Sequence, residues 1–409
     1  MMWAAHGDKM PEFDMVVAQD GSGDFTTITD AIFAAPNCSF RRYRIKIRAG
    51  TYNENIIIGA KKTNLTLIGD GMDSTLITWR KRKSSSEVNS TYGTATVGIH
   101  ANGFVAKFIS FENTAGAENK NEQAVALLSA SNYSAYYRCR FIGLQDTLYA
   151  KKDIQFFREC EIYGTIDFIF GDARVVFQNC KILARKPFPG QSNTITAEGR
   201  ESAFGIGGFV IHNCTLTAAP DLLASTYPVK TYLGRPWKDY SRTVIMESFL
   251  DVLIEVQGWL EWKGNSTRSN TIYYEEYNNR GPGADTNDRV NWQGYRVISS
   301  PMEAIPFTVR AFISGDAWIP STEVPYEPDL IEMPLFITSL ASQDLAKKTN
   351  LVMMKSLPLA VAFVLLVFSQ SSGILVRADL VDDTCMKTDN PVFCTSTLRS
   401  APGSASTDA

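Results

Sequence analysis

The stretch QDTLYAKKDIQFFRECEIYGTIDFIFG, Gln145–Gly171, decides how this chain is read. It carries two aspartates, Asp146 and Asp167, each embedded in strand-forming apolar residues (LQDTLY and TIDFIF) and 21 residues apart. The interval recurs: Cys139 and Cys160 are 21 apart, Cys160 and Cys180 are 20 apart, and Gln123 and Gln145 are 22 apart. A repeat of that length, made of short strands and turns, predicts a solenoid whose coils stack. Equivalent side chains on neighbouring coils then lie roughly 4.8 Å apart. Asp146 and Asp167 become neighbours on one face, with Gln123 and Gln145 beside them. Two close carboxylates do not both ionise easily, so one residue type supplies an acid and a nucleophile.

Working outward, four segments share one pattern: YRCRF (137–141), FRECEI (157–162), FQNCKI (177–182) and IHNCTL (211–216). Each has an apolar or aromatic residue, one or two polar ones, a Cys, and an apolar position two further on. The wider last interval needs an insertion, for which KPFPGQSN (186–193) supplies loop material. From Arg41 onward, short runs rich in Ile, Val, Thr and Phe end at Gly, Asn or Asp, and helical patterns are scarce. The expected fold is all-β, a right-handed parallel β-helix with a short capping helix at Thr29–Ala35, capped by Thr29 or Asp30, and a C-terminal tail. Cys160 and Cys180, one coil apart, could be bridged or could be two members of a buried thiol ladder; spacing leaves both open.

Composition excludes several functions. The 409 residues hold 40 Lys+Arg against 43 Asp+Glu, a formal charge of −3. Beyond Arg80–Lys83 there is no basic run, so nucleic acid is not an expected partner. Three dispersed histidines (His6, His100, His212) with no HExxH or CxxC argue against a metal site, and His212 reads as a strand residue. No G-x-S-x-G occurs, so a nucleophile elbow is absent, and neither aspartate stands in the D-T/S-G of an aspartic protease. A two-carboxylate glycosidase and an ester hydrolase with an aspartate nucleophile both remain open.

The chain divides into an N-terminal extension (1–13) that lacks an apolar signal region, a β-helix (14–320), a Pro- and acid-rich tail or linker (321–353), and two further pieces. Residues 354–378, MKSLPLAVAFVLLVFSQSSGILVRA, have the charged start, apolar run and small-residue end of a signal peptide. They read as the start of a second secretory protein joined to the first.

The motifs resemble one family, the plant-type pectin methylesterases. The matching stretches are QDGSG (19–23), RAGTYNEN (48–55), GDGMDSTLIT (69–78), FENTAG (111–116), QAVAL (123–127), LQDTLY (144–149), GTIDFIFG (164–171), LGRPWKDYSRTV (233–244) and GWLEW (258–262). They cover roughly residues 14–320. Residues 379–409, with Cys385 and Cys394, resemble the opening of the plant invertase and pectin methylesterase inhibitor family. The resemblance implies an esterase that frees methanol from homogalacturonan in the cell wall, acting as a monomer without cofactor or metal, with pectin as substrate and a proteinaceous inhibitor as a possible partner. It implies that Asp167 is the nucleophile, Asp146 the proton donor and later base, and Gln123 and Gln145 the oxyanion-binding amides. Arg235 would hold Asp167, Thr91, Gln123, Arg235, Trp237 and Trp259 would contact the sugar chain, and Cys160–Cys180 would form a disulfide. The usual family pattern has His before QAVAL, where this chain has Glu122, and the loop 81–90 is unusually charged. A carboxylate at 122 would disfavour an acidic polymer. A catalytically dead pectin-binding solenoid and a chain-cleaving hydrolase or lyase are the competing readings.

Overall fold

The computed structural model describes residues 12–83, 88–115, 122–262 and 270–331. The signal-like segment 354–378, the inhibitor-like piece 379–409 and most of the 321–353 tail lie outside the described residues. The described strands form three parallel sheets of 11, 7 and 8 strands, and each strand pairs with the equivalent strand one coil away. This is the expected parallel β-helix. Its interior holds one continuous core, including the stacked rings Tyr136–Phe157 and Phe157–Phe177 at 4.4 and 4.8 Å. Stacking follows from register, because equivalent positions on successive coils point the same way.

The Cys-containing repeat has a structural cause. The residue before each Cys turns the corner from the 11-stranded to the 8-stranded sheet with a positive φ: Arg138 (50°), Glu159 (52°), Asn179 (56°) and Asn213 (51°). Phe108 and Glu247 make the same corner on other coils. A left-handed non-glycine residue costs on the order of 1–2 kcal/mol. Each corner offsets it with a backbone bond to the next coil, as in Arg138 N to Arg158 O (3.0 Å) and Asn179 N to His212 O (3.1 Å). The next residue, Cys139, Cys160, Cys180 or Cys214, then points into the core.

All four of these cysteines are buried free thiols, so the expected Cys160–Cys180 disulfide is not formed. In a parallel stack their side chains run side by side instead of converging, as a disulfide requires. Each sulfur finds a backbone carbonyl instead: Cys160 Sγ donates to Tyr136 O and Arg158 O, both at 3.4 Å, and Cys180 Sγ to Phe157 O at 3.5 Å.

A helix at Ile28–Ala34 buries Ile28, Ala31 and Ile32 against the core at the start of the stack. Its cap is Thr27, not Thr29 or Asp30, because the Glu54 carboxylate accepts from Ile28 N and Thr29 N and draws both into the first turn. At the other terminus the tail is tied to the 11-stranded sheet: Gln178 exchanges two bonds with the Glu327 backbone, and Ile331 N donates to Glu247. His212 is a fully buried strand residue between Gln178 and Glu247. Among the described residues, no helix is long and apolar enough to cross a membrane.

Candidate active site

The site is built on the 7-stranded sheet, from residues near the starts of strands on successive coils and, for Arg235, from the end of one. Gln123 precedes Leu127–Ala130, Gln145 and Asp146 precede Leu148–Lys152, Asp167 is second in Ile166–Gly171, Thr194 second in Asn193–Glu198, and Arg235 follows Thr231–Gly234. Backbone bonds hold the coils in step: Ala124 N to Gln145 O (3.2 Å), Asp146 N to Ile166 O (3.1 Å) and Arg235 N to Thr196 O (2.9 Å).

Both aspartates have left-handed backbones, φ 65° at Asp146 and 50° at Asp167. The register slips between Ile166, opposite Thr194, and Ile169, opposite Thr196. That irregularity re-aims Asp167, as bulges beside active sites do. It also brings the Phe168 side chain against Gly164, where an added Cβ would meet it at 2.1 Å. The glycine of GTIDFIFG is therefore a packing requirement of the aspartate's own strand.

Asp167 is 6% exposed and densely held. Arg235 donates Nε to Oδ1 (2.8 Å) and Nη2 to Oδ2 (2.7 Å), a bidentate pair. Thr194 Oγ1 also donates to Oδ1 at 2.7 Å and accepts from Asp167 N at 2.9 Å. Three hydrogen bonds to the carboxylate, and a fourth from its own backbone N–H, thus fix it in one orientation. Asp146, 8% exposed, differs. Burial first, and then the Asp167 charge, push its carboxyl well above the usual carboxylate range, with Arg235 and Lys83 opposing. One aspartate is arranged as an anion, its neighbour as an acid.

Sequence reasoning missed Thr194, whose only signal was its place one coil beyond Asp167. It also misassigned an aromatic residue. Trp259 is 1% exposed, packs against Tyr274 with tilted rings 4.4 Å apart and donates Nε1 to Glu276, so it is core and cannot contact a sugar. Its neighbour in the same motif, Trp262, is half-buried and lies under the Arg235 guanidinium, 4.5 Å from ring centroid to Cζ. Trp262 and Trp237 pack with Tyr149 and Phe170 on the outer face of the sheet. Tyr149 and Phe170 stack at 4.2 Å, each three residues beyond an aspartate. Trp237 meets Phe170 edge-on and occupies space that Gly199 leaves open. Thr91 belongs to the short turn Thr91–Thr94, which Thr94 Oγ1 anchors by accepting from Val125 N, two residues past Gln123. Asn113 of FENT secures this wall by donating to Lys81 O, Thr94 O and Val125 O. The two departures at 122 and 81–90 meet each other: Arg82 Nε lies 3.3 Å from Glu122 Oε2, so the added carboxylate is offset by the charged loop.

Among the described residues no cluster of His, Cys, Asp and Glu could hold a metal. What remains is an anionic carboxylate on an arginine, a protonatable carboxyl beside it, two amides nearby and an aromatic wall.

A family model described as Pectinesterase matches residues 14–316. Pectinesterase 2 of Citrus sinensis is 50% identical over 333 residues, which is 80% of this chain and 64% of that protein. A Prunus persica protein named pectinesterase/pectinesterase inhibitor is 52% identical over 76% of this chain and 59% of its own length. This chain therefore spans roughly three-fifths of these relatives. The solved pectin methylesterase from carrot superposes with a TM-score of 0.76 at 45% identity, covering 79% of this chain and 99% of that one. A pectin methylesterase solved with a hexasaccharide gives 0.59 at 25% identity, over 79% and 99%. By the match across residues 14–316 and by these identities, the chain belongs to the pectinesterase family.

Proposed function

We propose that the chain hydrolyses methyl esters of homogalacturonan, releasing methanol and leaving free carboxylates on an uncut polymer. The observation that carries this is the pairing of Asp167, held by Arg235 and Thr194, with Asp146, whose proton is retained by burial beside that charge.

Asp167 attacks the ester carbonyl carbon, and the carbonyl electrons move onto oxygen, where Gln123 and Gln145 donate to the oxyanion. As the intermediate collapses, the C–O bond to the methoxy group breaks and Asp146 gives that oxygen its proton. Methanol leaves and the acyl group stays on Asp167 as an anhydride. Asp146, now a carboxylate, takes a proton from water. The hydroxide adds to the substrate-derived carbonyl, the bond to Asp167 breaks, and both aspartates return to their starting states. Trp237, Trp262, Tyr149 and Phe170 offer ring faces and apolar edges to the sugar chain.

The relatives' names support the cell wall of a plant as the place of action and, in the combined pectinesterase/pectinesterase inhibitor names, an inhibitor protein as partner. The segment 354–378 is proposed as the signal peptide of a second, fused reading frame. The test is methanol release from highly methylated pectin with polymer size followed in the same sample. Methanol at constant chain length is expected, and its loss in Asp167→Asn with folding retained. Shortened chains without methanol would overturn the reading in favour of a depolymerase.

A further inference from the structure

The Gln123 amide has no brace of its own. Among the described residues its side chain makes no hydrogen bond, and residues 122–126 belong to no strand. Its place therefore depends on the backbone that carries it. On either side of the residue one bond holds that backbone: Ala124 N donates to Gln145 O at 3.2 Å, and Gln123 O accepts from Lys83 N at 2.9 Å. The second bond comes from residues 80–83, an irregular segment that follows the strand Thr75–Trp79.

Lys81 fixes the base of that segment, donating Nζ to Asn55 Oδ1 at 2.6 Å while its carbonyl accepts from Asn113. Further along, Arg82 Nε lies 3.3 Å from Glu122 Oε2, and the two side chains are only 29% and 14% exposed. A pair this far out of water is screened less than one on open surface. Glu122 also lines a cleft of about 260 Å³ beside Gln145, which the loop KPFPGQSN borders with Lys186 and Phe188. Lys186, the cation of that loop, is held on the Tyr227 ring, 4.9 Å from its centroid. Lys83 is exposed and forms no ion pair among the described residues. Its charge still favours ionised Asp146, as Arg235 does, against burial and the Asp167 charge, and Tyr149 is a further titratable group facing Asp146. How strongly Lys83 acts is set by where the segment holds it.

We propose that the Arg82–Glu122 pair is a clamp that positions two groups at once, the Gln123 amide on the oxyanion and the Lys83 ammonium beside Asp146. The proposal rests on the esterase reading and adds two positioning residues to it; neither Arg82 nor Glu122 touches the reacting atoms. With the clamp released, the segment loses a side-chain tie to residues 122–124, and the amide and the ammonium drift together. A displaced oxyanion donor costs rate more than binding, because the oxyanion exists only beyond the ground state.

Glu122→Gln acts on Asp146 in two ways of opposite sign. As a plain charge, Glu122 disfavours an ionised neighbour, so its removal alone would move the alkaline limb of the pH profile toward acid. As half of the clamp, its removal lets Lys83 withdraw, and the limb moves toward higher pH.

The experiment measures initial rates of methanol release from highly methylated pectin across pH, beside denaturation curves, for the full chain and its variants. Glu122→Gln should lower kcat about tenfold, less than the loss of a whole oxyanion donor, with KM within about twofold of the wild type. Its alkaline limb should move to higher pH, and adding Lys83→Met should move it no further than Lys83→Met alone does. The exchanged pair, Arg82→Glu with Glu122→Arg, should restore kcat and limb together. A limb that moves toward acid or stays in place would leave Glu122 a plain charge and overturn the proposal. So would an exchanged pair that folds like the wild type and stays impaired, or rate losses that only follow lost folded protein. Absence of methanol from the wild type would instead overturn the esterase reading, which the other failures leave standing.

Discussion

Thr194 holds Asp167 at both ends, donating its hydroxyl to Oδ1 at 2.7 Å and accepting the backbone N–H at 2.9 Å. The second bond satisfies an N–H that the shifted register would otherwise leave without a strand partner. Thr194→Val keeps the shape and removes both bonds. Turnover is expected to fall by roughly tenfold to a hundredfold with KM little changed, since such a bond is worth about 1.5–3 kcal/mol to a charged group. Thr194→Ser should recover most of the loss. Steady-state methanol release by the two variants decides it; an unaffected Thr194→Val would remove the residue from the site.

The raised carboxyl of Asp146 sets the alkaline side of the pH profile. Acylation needs Asp146 protonated, so kcat/KM should fall as Asp146 loses its proton. Because Asp146 is shifted upward by burial and the Asp167 charge, the falling limb should lie well above the ordinary carboxylate range. Lys83 opposes that shift, so Lys83→Met should move the falling limb further toward alkaline pH. Initial rates across pH for both proteins test this, and a shift toward acid would contradict the assignment.

The two tryptophans of GWLEW should separate cleanly. Trp259→Ala removes a fully buried ring and is expected to cost about 3–5 kcal/mol in unfolding free energy. Trp262→Ala should leave unfolding nearly unchanged and raise KM for pectin. Denaturation curves beside kinetics distinguish them; a stable Trp259→Ala with weakened substrate binding would reverse the two roles.

Glu198 offers a stability test away from the chemistry. It is wholly buried, with Oε2 accepting from Arg242 N and Arg200 N, and burial pushes its carboxyl from 4.5 up to about 8. Between those values the unfolded chain has released a proton that the folded chain keeps, so stability falls as pH rises through the window. Glu198→Gln removes this dependence. Its advantage over the wild type should therefore grow from pH 4.5 to pH 8, by an amount on the order of 4 kcal/mol. Equal differences at the two pH values would show that Glu198 is ionised in the fold.

The stack was readable because its period is written in residues that face the core or turn the corners: Cys139, Cys160 and Cys180 mark coils that the structure places in register. The acid pair was readable for the same reason, one coil being one period. Direction within a coil was not. Trp259 and Trp262 share a motif, and only the packing around Tyr274 and Arg235 tells which ring faces inward. Spacing also could not decide between bridged and free thiols, since neighbouring coils bring sulfurs close whether or not their side chains converge. Thr194 was hidden because a lone threonine in a β-rich run looks like any other strand residue.

The left-handed corner at Phe108, Arg138, Glu159, Asn179, Asn213 and Glu247 has a consequence for how such a chain can change. Each corner spans two residues between strands, as from Tyr137 to Arg140 and from Gln178 to Lys181, and its backbone bonds reach the next coil. One inserted residue there would flip the following strand and turn its core side chains to solvent. The passage from Ala184 to Asn193 bears no such constraint and has already absorbed the loop that walls the cleft. The scaffold is thus rigid along one seam and permissive along another. New cleft walls can be grafted by lengthening the permissive seam while Asp146, Asp167 and Arg235 keep their places.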